Sequence, residues 1–447
     1  MLKHYKFLLF VVLGALCLML TAFYNGYPLV YSDSSTYLAS GFELQTPVDR
    51  PITYGLFIRL FSLNGLTLWT VIFVQSLLLS DLIFLLLKQF SGEKPFLIKG
   101  LTIILLLSLF TGISWTASQL IADIFTPIAL LSLSIILFGD IGKRTRVVLC
   151  LLYLLAVSMH ISHVMVFTLL LVICYLFKKW LVQKEAIKLL RLRIGMLLLL
   201  TLSVMLTMGS AISKSKDVFM MGAMVEQGIT KQYLDEYCGT KQYKMCAYKD
   251  SLPKTLNAFV WDTNSVFYKT GGWSAENRKE YNEIITATFT EPKYIKLHII
   301  ASLKATVEQI VRFNIGDGNG KFLNGTILYQ RMSHYVPRDL HCYNSSRQNQ
   351  SGFPAINFWN ILYDLIIAAS AICLFTIALI NRKRIRHWVA FLFIIPAGIA
   401  INAWDTATFS CVADRFGCKI MWLIPLMLIL ILYTLYSKRV KENAETN

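Results

Sequence analysis

Long apolar segments alternate with short basic stretches along this chain, and no other feature limits its possible folds as strongly. A helix needs about 20 mainly apolar residues to cross the hydrocarbon core of a bilayer. Apolar segments lie near 7–24, 65–87, 98–112, 118–138, 146–158, 163–177, 194–212, 357–380, 388–404 and 419–436. Hydrophobic residues make up 55% of the chain and charged residues 15%, which excludes an ordinary soluble domain. We therefore expect an all-α polytopic membrane protein with about ten transmembrane helices.

The positive charge lies mainly in six stretches between or beyond these segments. They are 1–6, 88–99, 140–146, 178–193, 382–387 and 437–447. Together they hold 21 of the 43 Lys and Arg residues but 5 of the 26 acidic residues. Loops rich in Lys and Arg stay in the cytoplasm, so both termini are expected to be cytoplasmic, as in a protein of the bacterial inner membrane. The basic residues then meet membrane lipids, and the net charge of +17 does not indicate a nucleic-acid partner.

This topology divides the chain into three parts. We expect an N-terminal transmembrane module at 1–212, an external domain of mixed but mainly helical structure at 213–355, and a C-terminal transmembrane module at 356–447. The short pair 146–158 and 163–177 forms either a re-entrant hairpin or two tilted helices. Both alternatives return the chain to the same side of the membrane.

The external region has further local signals. Residues 276–312 are expected to be helical, with Pro292 at a helix start. The glycine-rich segment 313–325 is expected to be a plain turn. Trp261 and Trp273, away from the ends of the apolar segments, are candidate platforms for sugar rings.

Five of the nine cysteines fall on the external, oxidising side. Cys238 and Cys246 are eight residues apart, and we expect them to close a local disulfide. Cys411 and Cys418 flank the last external loop and are a second possible pair. One external cysteine must then remain unpaired, so the second pairing is left open.

The first external loop, 25–64, carries the residues with the clearest chemistry. Asp33 closely follows the first apolar segment, and a helix over 34–44, lying on the membrane, is expected to be capped by Ser34 or Ser35. Arg50-Pro51 is expected to begin a second helix. A carboxylate can take a proton from an acceptor hydroxyl or hold a metal, and a guanidinium can grip a phosphate with two hydrogen bonds. The alternative is that Asp33 only caps a helix and Arg50 only reaches lipid headgroups.

The order of these elements resembles the GT-C superfamily of membrane glycosyltransferases. The resemblance rests on an acid after the first span, an interfacial helix, and the sequence Arg50-Pro-Ile-Thr-Tyr54-Gly-Leu-Phe entering the next helix. The segment Gln119-Leu-Ile-Ala-Asp123 also resembles the acidic residue that heads the family's fourth helix. The resemblance covers roughly residues 5–180. It implies that Asp33 is the catalytic base or a metal ligand, and that Asp123 is a second acid of the site.

Other candidate substrate-binding residues lie on the same external face. His160 and His163 share a helix face if the segment is helical, and can line a polar site, ligate a metal, or simply lie at the interface. Arg415 and Lys419 suit a lipid phosphate or ordinary snorkelling equally well. Tyr54 is a candidate for stacking on a sugar, although most external aromatic residues are expected to form an interfacial belt.

The resemblance implies an integral membrane glycosyltransferase. Its expected donor is a polyprenyl-phosphate-linked sugar, and its acceptor is a glycan, lipid or protein on the external face of the cell envelope. A divalent metal, Mg or Mn, is a possible cofactor, held by Asp33 if present. The alternatives are an O-antigen polymerase or ligase, which depends on loop Arg and His residues and not on Asp33, and a transporter or flippase of lipid-linked glycans. A non-catalytic assembly subunit is a further alternative.

Overall fold

The computed structural model describes residues 2–91, 96–380 and 388–445, so the basic stretch 382–387 lies outside the described part. Over these ranges the chain is helical and contains no β-strand, which confirms the all-α prediction. One isolated backbone bridge joins Leu29 to Gln119.

The N-terminal half forms twelve of the described helices. They are α1 (Leu2–Leu18), α2 (Leu20–Asn25), α3 (Ser32–Glu43), α4 (Thr53–Phe61), α5 (Trp69–Ser91), α6 (Phe96–Phe110), α7 (Ile113–Ala117), α8 (Phe125–Phe138), α9 (Lys143–Val157), α10 (Ile161–Leu176), α11 (Lys178–Leu181) and α12 (Ile187–Glu226). Short 3-10 helices at Ala122–Ile124 and Lys184–Ala186 precede α8 and α12.

The second half begins with seven helices outside the long apolar segments. They are α13 (Ile229–Tyr237), α14 (Leu256–Trp261), α15 (Val266–Thr270), α16 (Ala275–Thr290), α17 (Pro292–Ile310), α18 (Ile327–Tyr335) and α19 (Leu340–Ser345). Two 3-10 helices, Lys244–Ser251 and Pro337–Asp339, lie among them. The last four helices are α20 (Ile356–Ile380), α21 (Val389–Phe409), α22 (Asp414–Met421) and α23 (Leu423–Glu445).

Five of the described helical segments are long and apolar enough to cross a membrane. They are Trp69–Phe90, Lys184–Leu206, Ile356–Ile380, Val389–Phe409 and Asp414–Tyr436. Four shorter apolar helices accompany them, at Tyr5–Leu18, Phe96–Phe110, Ala122–Phe138 and Ile161–Leu176. A helix rises about 1.5 Å per residue, so these shorter helices fall below the roughly 30 Å of a hydrocarbon core.

The described helices pack around two large hydrophobic cores, and a small third cluster contains Leu29, Trp115 and Cys418. In the first, α8 is central, because every residue from Phe125 to Leu137 is buried. The second core lies around the end of α12, where Val218 and Met221 pack against Phe259 and Tyr281. The 40-residue helix α12 connects the two cores and runs without a break through the expected domain boundary at 212. Region 213–355 is therefore built directly onto a helix of the apolar bundle.

The helices expected in the segments 25–64 and 276–312 are present, with two changes in where they begin. Helices α16 and α17 cover the expected helical region, and Pro292 is in the first turn of α17. Helix α3 begins at Ser32 with Tyr31 as its N-cap, so the expected cap at Ser34 or Ser35 was wrong. Ser34 lies in the first turn, where its Oγ accepts a hydrogen bond from Tyr31 N at 3.0 Å. Helix α4 begins at Thr53, so Pro51 lies in the turn before it and not in its first turn.

The cysteines follow the packing of the two cores. A disulfide joins Cys238 to Cys246, as the spacing led us to expect. The second possible pair is not formed, because Cys411 packs against the second core whereas Cys418 is buried toward α7. Cys418 Sγ lies 3.7 Å from Thr116 Oγ1. The direction of α22 therefore keeps these two thiols apart.

Candidate functional site

Asp33 is shared by two arginines from distant parts of the chain. It lies in the first turn of α3, where its Oδ1 is 3.2 Å from Arg50 Nη2 and its Oδ2 is 3.1 Å from Arg415 Nη1. Arg50 precedes α4, and Arg415 lies in the first turn of α22. Asp49 also binds Arg50, with 2.6 Å between Oδ2 and Nη2. The structure thus brings together three residues that the sequence indicated separately, and adds Asp49.

The second acid predicted for the site, Asp123, joins the same cluster. It lies in the 3-10 helix that leads into α8, and its Oδ1 is 3.2 Å from Lys419 Nζ. Its Oδ2 is 3.9 Å from Arg415 Nε. Lys419 is 1% exposed, so this pair is almost completely removed from water. Arg415 and Lys419, one turn apart on α22, connect Asp123 to Asp33.

These six side chains form what we call the charged cluster. Its members are Asp33, Asp49, Arg50, Asp123, Arg415 and Lys419. Three are cations and three are anions, so the cluster has no formal net charge. The six residues come from four separate segments of the chain. The local sequence of these segments does not predict that they come into contact.

Aromatic rings support the two arginines. The Arg50 guanidinium lies 5.0 Å from the ring centre of Tyr37, and that of Arg415 lies 4.6 Å from Tyr31. Contacts of this kind orient a guanidinium and stabilise its charge by about 0.5 to 2 kcal/mol. The sequence predicted an interfacial belt for most external aromatic residues and did not identify this role.

Tyr54 supports this arrangement from behind. It is fully buried, packs edge-to-face on Tyr37 with 4.8 Å between ring centres, and donates to Gln75 Oε1 at 3.1 Å. Gln75 Nε2 in turn donates to the carbonyls of Ala117 and Gln119, each at 2.9 Å. In this conformation Tyr54 presents no surface to a substrate, and it acts through the ring of Tyr37.

The two histidines have different environments. Both ring nitrogens of His163 are used internally, with Nε2 2.8 Å from Thr126 Oγ1 and Nδ1 2.8 Å from the Ala156 carbonyl. His160 precedes α10, and its Nδ1 accepts from Ser162 N at 3.3 Å. His163 therefore holds α8 and α10 together, whereas His160 remains next to the charged cluster.

The charges of the cluster set the protonation of two groups. Burial alone would raise the pKa of Asp33, but the guanidiniums of Arg50 and Arg415 outweigh it and hold that pKa far below its usual range. Burial lowers the pKa of His160 to about 4, and the charge of Lys419 acts in the same direction. At neutral pH the Asp33 carboxylate is thus ionised and the His160 imidazole is neutral.

The glycine-rich segment 313–325 closes over Arg415. Asp317 Oδ2 accepts from the backbone N–H of Arg415 at 3.1 Å. Gly318 has a φ of +70°, and a Cβ there would overlap the ring of Tyr31. A small pocket beside this segment is lined by Trp115, Gln119, Asp123, Asn314, Asp317 and Arg415. A segment expected to be a plain turn therefore forms one wall of the site, and its Gly-Asp-Gly sequence was the available signal.

One guanidinium nitrogen of the cluster is left without a partner. Arg50 is 9% exposed, and in the described part of the chain nothing accepts a hydrogen bond from its buried Nη1. A buried N–H that stays unpaired costs about 1 to 3 kcal/mol, more for a charged group. This donor is therefore well suited to an anionic ligand.

The residues around Asp33 do not suit a divalent metal. Each of its two carboxylate oxygens already faces a guanidinium, and Asp123 faces Lys419 and Arg415. The positive charges of these side chains would repel a bound metal cation. Among the residues that the structure describes, no three His, Cys, Asp or Glu side chains are grouped to hold a metal ion.

Comparison with protein-family models, with curated proteins and with solved structures finds no match to this chain.

Proposed function

We propose that this chain is an integral membrane glycosyltransferase that moves a sugar from a polyprenyl-phosphate donor to a glycan, lipid or protein acceptor on the external face. The observation that carries the proposal is the charged cluster with its unpaired donor. Arg50 and Arg415 share Asp33, Lys419 pairs with Asp123, and Arg50 Nη1 is buried with no acceptor from the described residues. Arginine binds phosphate through paired, directional hydrogen bonds, which fits the leaving group of such a donor.

The topology that this function requires is supported by contacts between helix ends. Thr21 N, at the end of the first apolar segment, donates to Ser114 Oγ at 2.9 Å. Val30 N donates to Gln348 Oε1 at 3.1 Å. Together with the Asp33–Arg415 pair, these bonds join segments that the ten-span topology assigns to the same external face. The basic stretches at the opposite ends then lie in the cytoplasm.

In the proposed reaction the bond between the anomeric carbon and the donor phosphate oxygen breaks, and the phosphate leaves with the electron pair. The acceptor oxygen forms the new bond to the anomeric carbon, and its proton passes to Asp33. As the phosphate leaves, Arg50 and Arg415 hydrogen-bond to it and interact less strongly with Asp33. This shift raises the basicity of Asp33 at the stage when the hydroxyl loses its proton.

A polymerase- or ligase-type reaction remains the second candidate, for a specific reason. Both oxygens of Asp33 are already paired with arginines, an arrangement that also suits a site in which the arginines alone handle the lipid phosphate. In that case Asp33 would only position Arg50 and Arg415. The two candidates differ in whether the Asp33 carboxylate is needed for turnover once the donor is bound.

The proposal is tested with purified protein in proteoliposomes and a labelled polyprenyl-phosphate sugar. Arg50→Ala should raise the donor KM by roughly 10- to 100-fold, because a hydrogen bond to a charged group contributes about 1.5 to 3 kcal/mol. Arg50→Lys is the matched control, since it keeps the charge but loses the fork, and should fall between wild type and alanine. Donor binding that is equal in all three proteins would contradict a phosphate site here.

The topology is tested separately, by labelling single cysteines in intact cells with an impermeant thiol reagent. Positions in 213–355 should react from outside, and positions in 178–193 should react only after the cells are opened. Labelling of 213–355 only in opened cells would place the charged cluster on the wrong side for an external donor.

A further inference from the structure

We infer that helix α17 is embedded in the membrane surface at the external face, with lipid acyl chains covering one side of it. This inference goes beyond the proposed reaction, because it concerns a helix of the predicted external domain, away from the charged cluster. The side in question is here called the outer stripe. It consists of Ile299, Ile300, Leu303, Val307, Ile310 and Val311.

The first argument is that α17 is inverted relative to a helix on a water-soluble domain. Its exposed side is mainly apolar, with Leu303 61% and Val307 67% exposed. Its buried side carries Tyr294, His298 and Gln309. Helices of soluble proteins place the apolar side inward and the polar side outward. The reverse arrangement is stable where the surrounding medium is itself apolar.

The polar residues on the buried side are satisfied within the protein. Ser302 Oγ lies 2.7 Å from Thr408 Oγ1, and His298 Nε2 lies 3.0 Å from Thr288 Oγ1. Gln309 exchanges two hydrogen bonds with the backbone of Ala413, each of 2.9 Å. Because these groups have partners, the helix does not need water on that side.

The second argument concerns depth, because α17 packs beside the ends of two candidate membrane spans. Thr408, its partner near the middle, lies in the last turn of α21. Just beyond its C-terminal end, Phe313 packs against Tyr363, with 5.4 Å between ring centres, and Tyr363 lies two turns inside α20. The C-terminal half of the outer stripe is therefore held at the level where the hydrocarbon region begins.

The charges along α17 fit lipid headgroups as neighbours. Lys296 and Lys304 are exposed on the side of the outer stripe, and Glu308 is exposed at its edge. Lysine can lie with its methylene chain among acyl chains while its ammonium group reaches phosphates. Removing the apolar side chains of the outer stripe from water favours insertion of this side of the helix into the bilayer. A bilayer next to the candidate spans supplies this cover without a further protein.

The inference is tested by attaching an environment-sensitive fluorophore to single cysteines at Leu303→Cys and Val307→Cys. The background carries Cys342→Ser and Cys373→Ser, because these two thiols are exposed. The matched control is Glu283→Cys, an exposed polar position on α16. The proteins are reconstituted into phosphatidylcholine–phosphatidylglycerol vesicles, with or without a lipid that carries a quencher on its acyl chain.

Both outer-stripe positions should be quenched several-fold more by the acyl-chain quencher than the Glu283 position, and several-fold less by iodide in the water. Equal iodide quenching at all three positions would overturn the inference, because the stripe would face water. Blue-shifted emission at Leu303 and Val307 without acyl-chain quenching would also overturn it, since a protein partner or a second copy would then cover the stripe. The readout does not depend on glycosyl transfer, so it stands apart from the proposed function.

Discussion

Replacing Asp33 by Asn should separate catalysis from donor binding. Asn keeps the size of the side chain, but it cannot take up the proton of an acceptor hydroxyl. We expect kcat for sugar transfer to fall by about 100- to 10,000-fold, which corresponds to about 2.7 to 5.5 kcal/mol. The donor KM should stay equal or decrease.

The decrease in KM follows from the charges in the structure. The charged cluster holds three cations and three anions, and Asp33→Asn leaves it with one net positive charge. A unit charge about 4 Å from a phosphate contributes about 4 kcal/mol at an effective dielectric of 20. Partial exposure of Asp33 and rearrangement of the freed arginines reduce this value, so we expect donor binding to tighten by a few-fold only.

The assay is transfer of a labelled polyprenyl-phosphate sugar in proteoliposomes, with donor concentration varied at saturating acceptor. Glu43→Gln is the matched control, because it removes a carboxylate from the same helix that pairs instead with Arg331, away from the charged cluster. It should leave both constants unchanged. Near-normal kcat in Asp33→Asn would refute the assignment of Asp33 as base. A raised KM with normal kcat would mean that Asp33 only positions Arg50 and Arg415.

Three further perturbations follow from particular contacts. Gly318→Ala should reduce both thermal stability and transfer, because a side chain there overlaps a neighbouring ring at a positive φ, whereas Gly320→Ala, with only one distant neighbour, should change neither. The pKa of His160 is lowered to about 4, so protonation favours the unfolded state and stability should fall as pH decreases from about 6.5 toward 4. In melting curves measured over this pH range, His160→Asn should show a weaker dependence of stability on pH, while Asn still caps α10. An unchanged pH dependence would contradict the role of His160. Cys238→Ser should lower the unfolding free energy by roughly 2 to 3 kcal/mol, because the disulfide with Cys246 closes a short loop. Free thiols at both positions in a non-reduced digest of the unchanged protein would contradict the bond.

The sequence alone determined the class of the fold and the main helices. Long apolar segments predict helices, because a backbone inside a bilayer must satisfy its hydrogen bonds within the chain. The structure confirms the all-α class and the apolar helices. The helices of the region 276–312 and the turn after them were also predictable, because Pro292 and the following glycines are local signals. Helix starts were less accurate, as α4 shows by beginning two residues after Pro51.

The identity of several site residues was also accessible from the sequence. Asp33 and Asp123 were predicted through the resemblance to the GT-C superfamily. Arg50, Arg415 and Lys419 were predicted as cations suited to a lipid phosphate. The sequence could not show that they touch, since Arg415 and Asp33 are 382 residues apart. Their contact depends on how α3, α8 and α22 pack, which is decided by side-chain shape across the whole bundle.

Only the tertiary structure separated the roles of the remaining candidates. Tyr54 and His163 carry suitable functional groups, but packing turns them inward to Gln75 and Thr126. The glycine-rich segment became a wall of the site because Gly318 alone can approach Tyr31 so closely. The inverted polarity of α17 was equally hidden, since a sequence gives the period of an amphipathic helix but not which side faces the protein. That side is chosen by the partners available in three dimensions, here α21 and the start of α22.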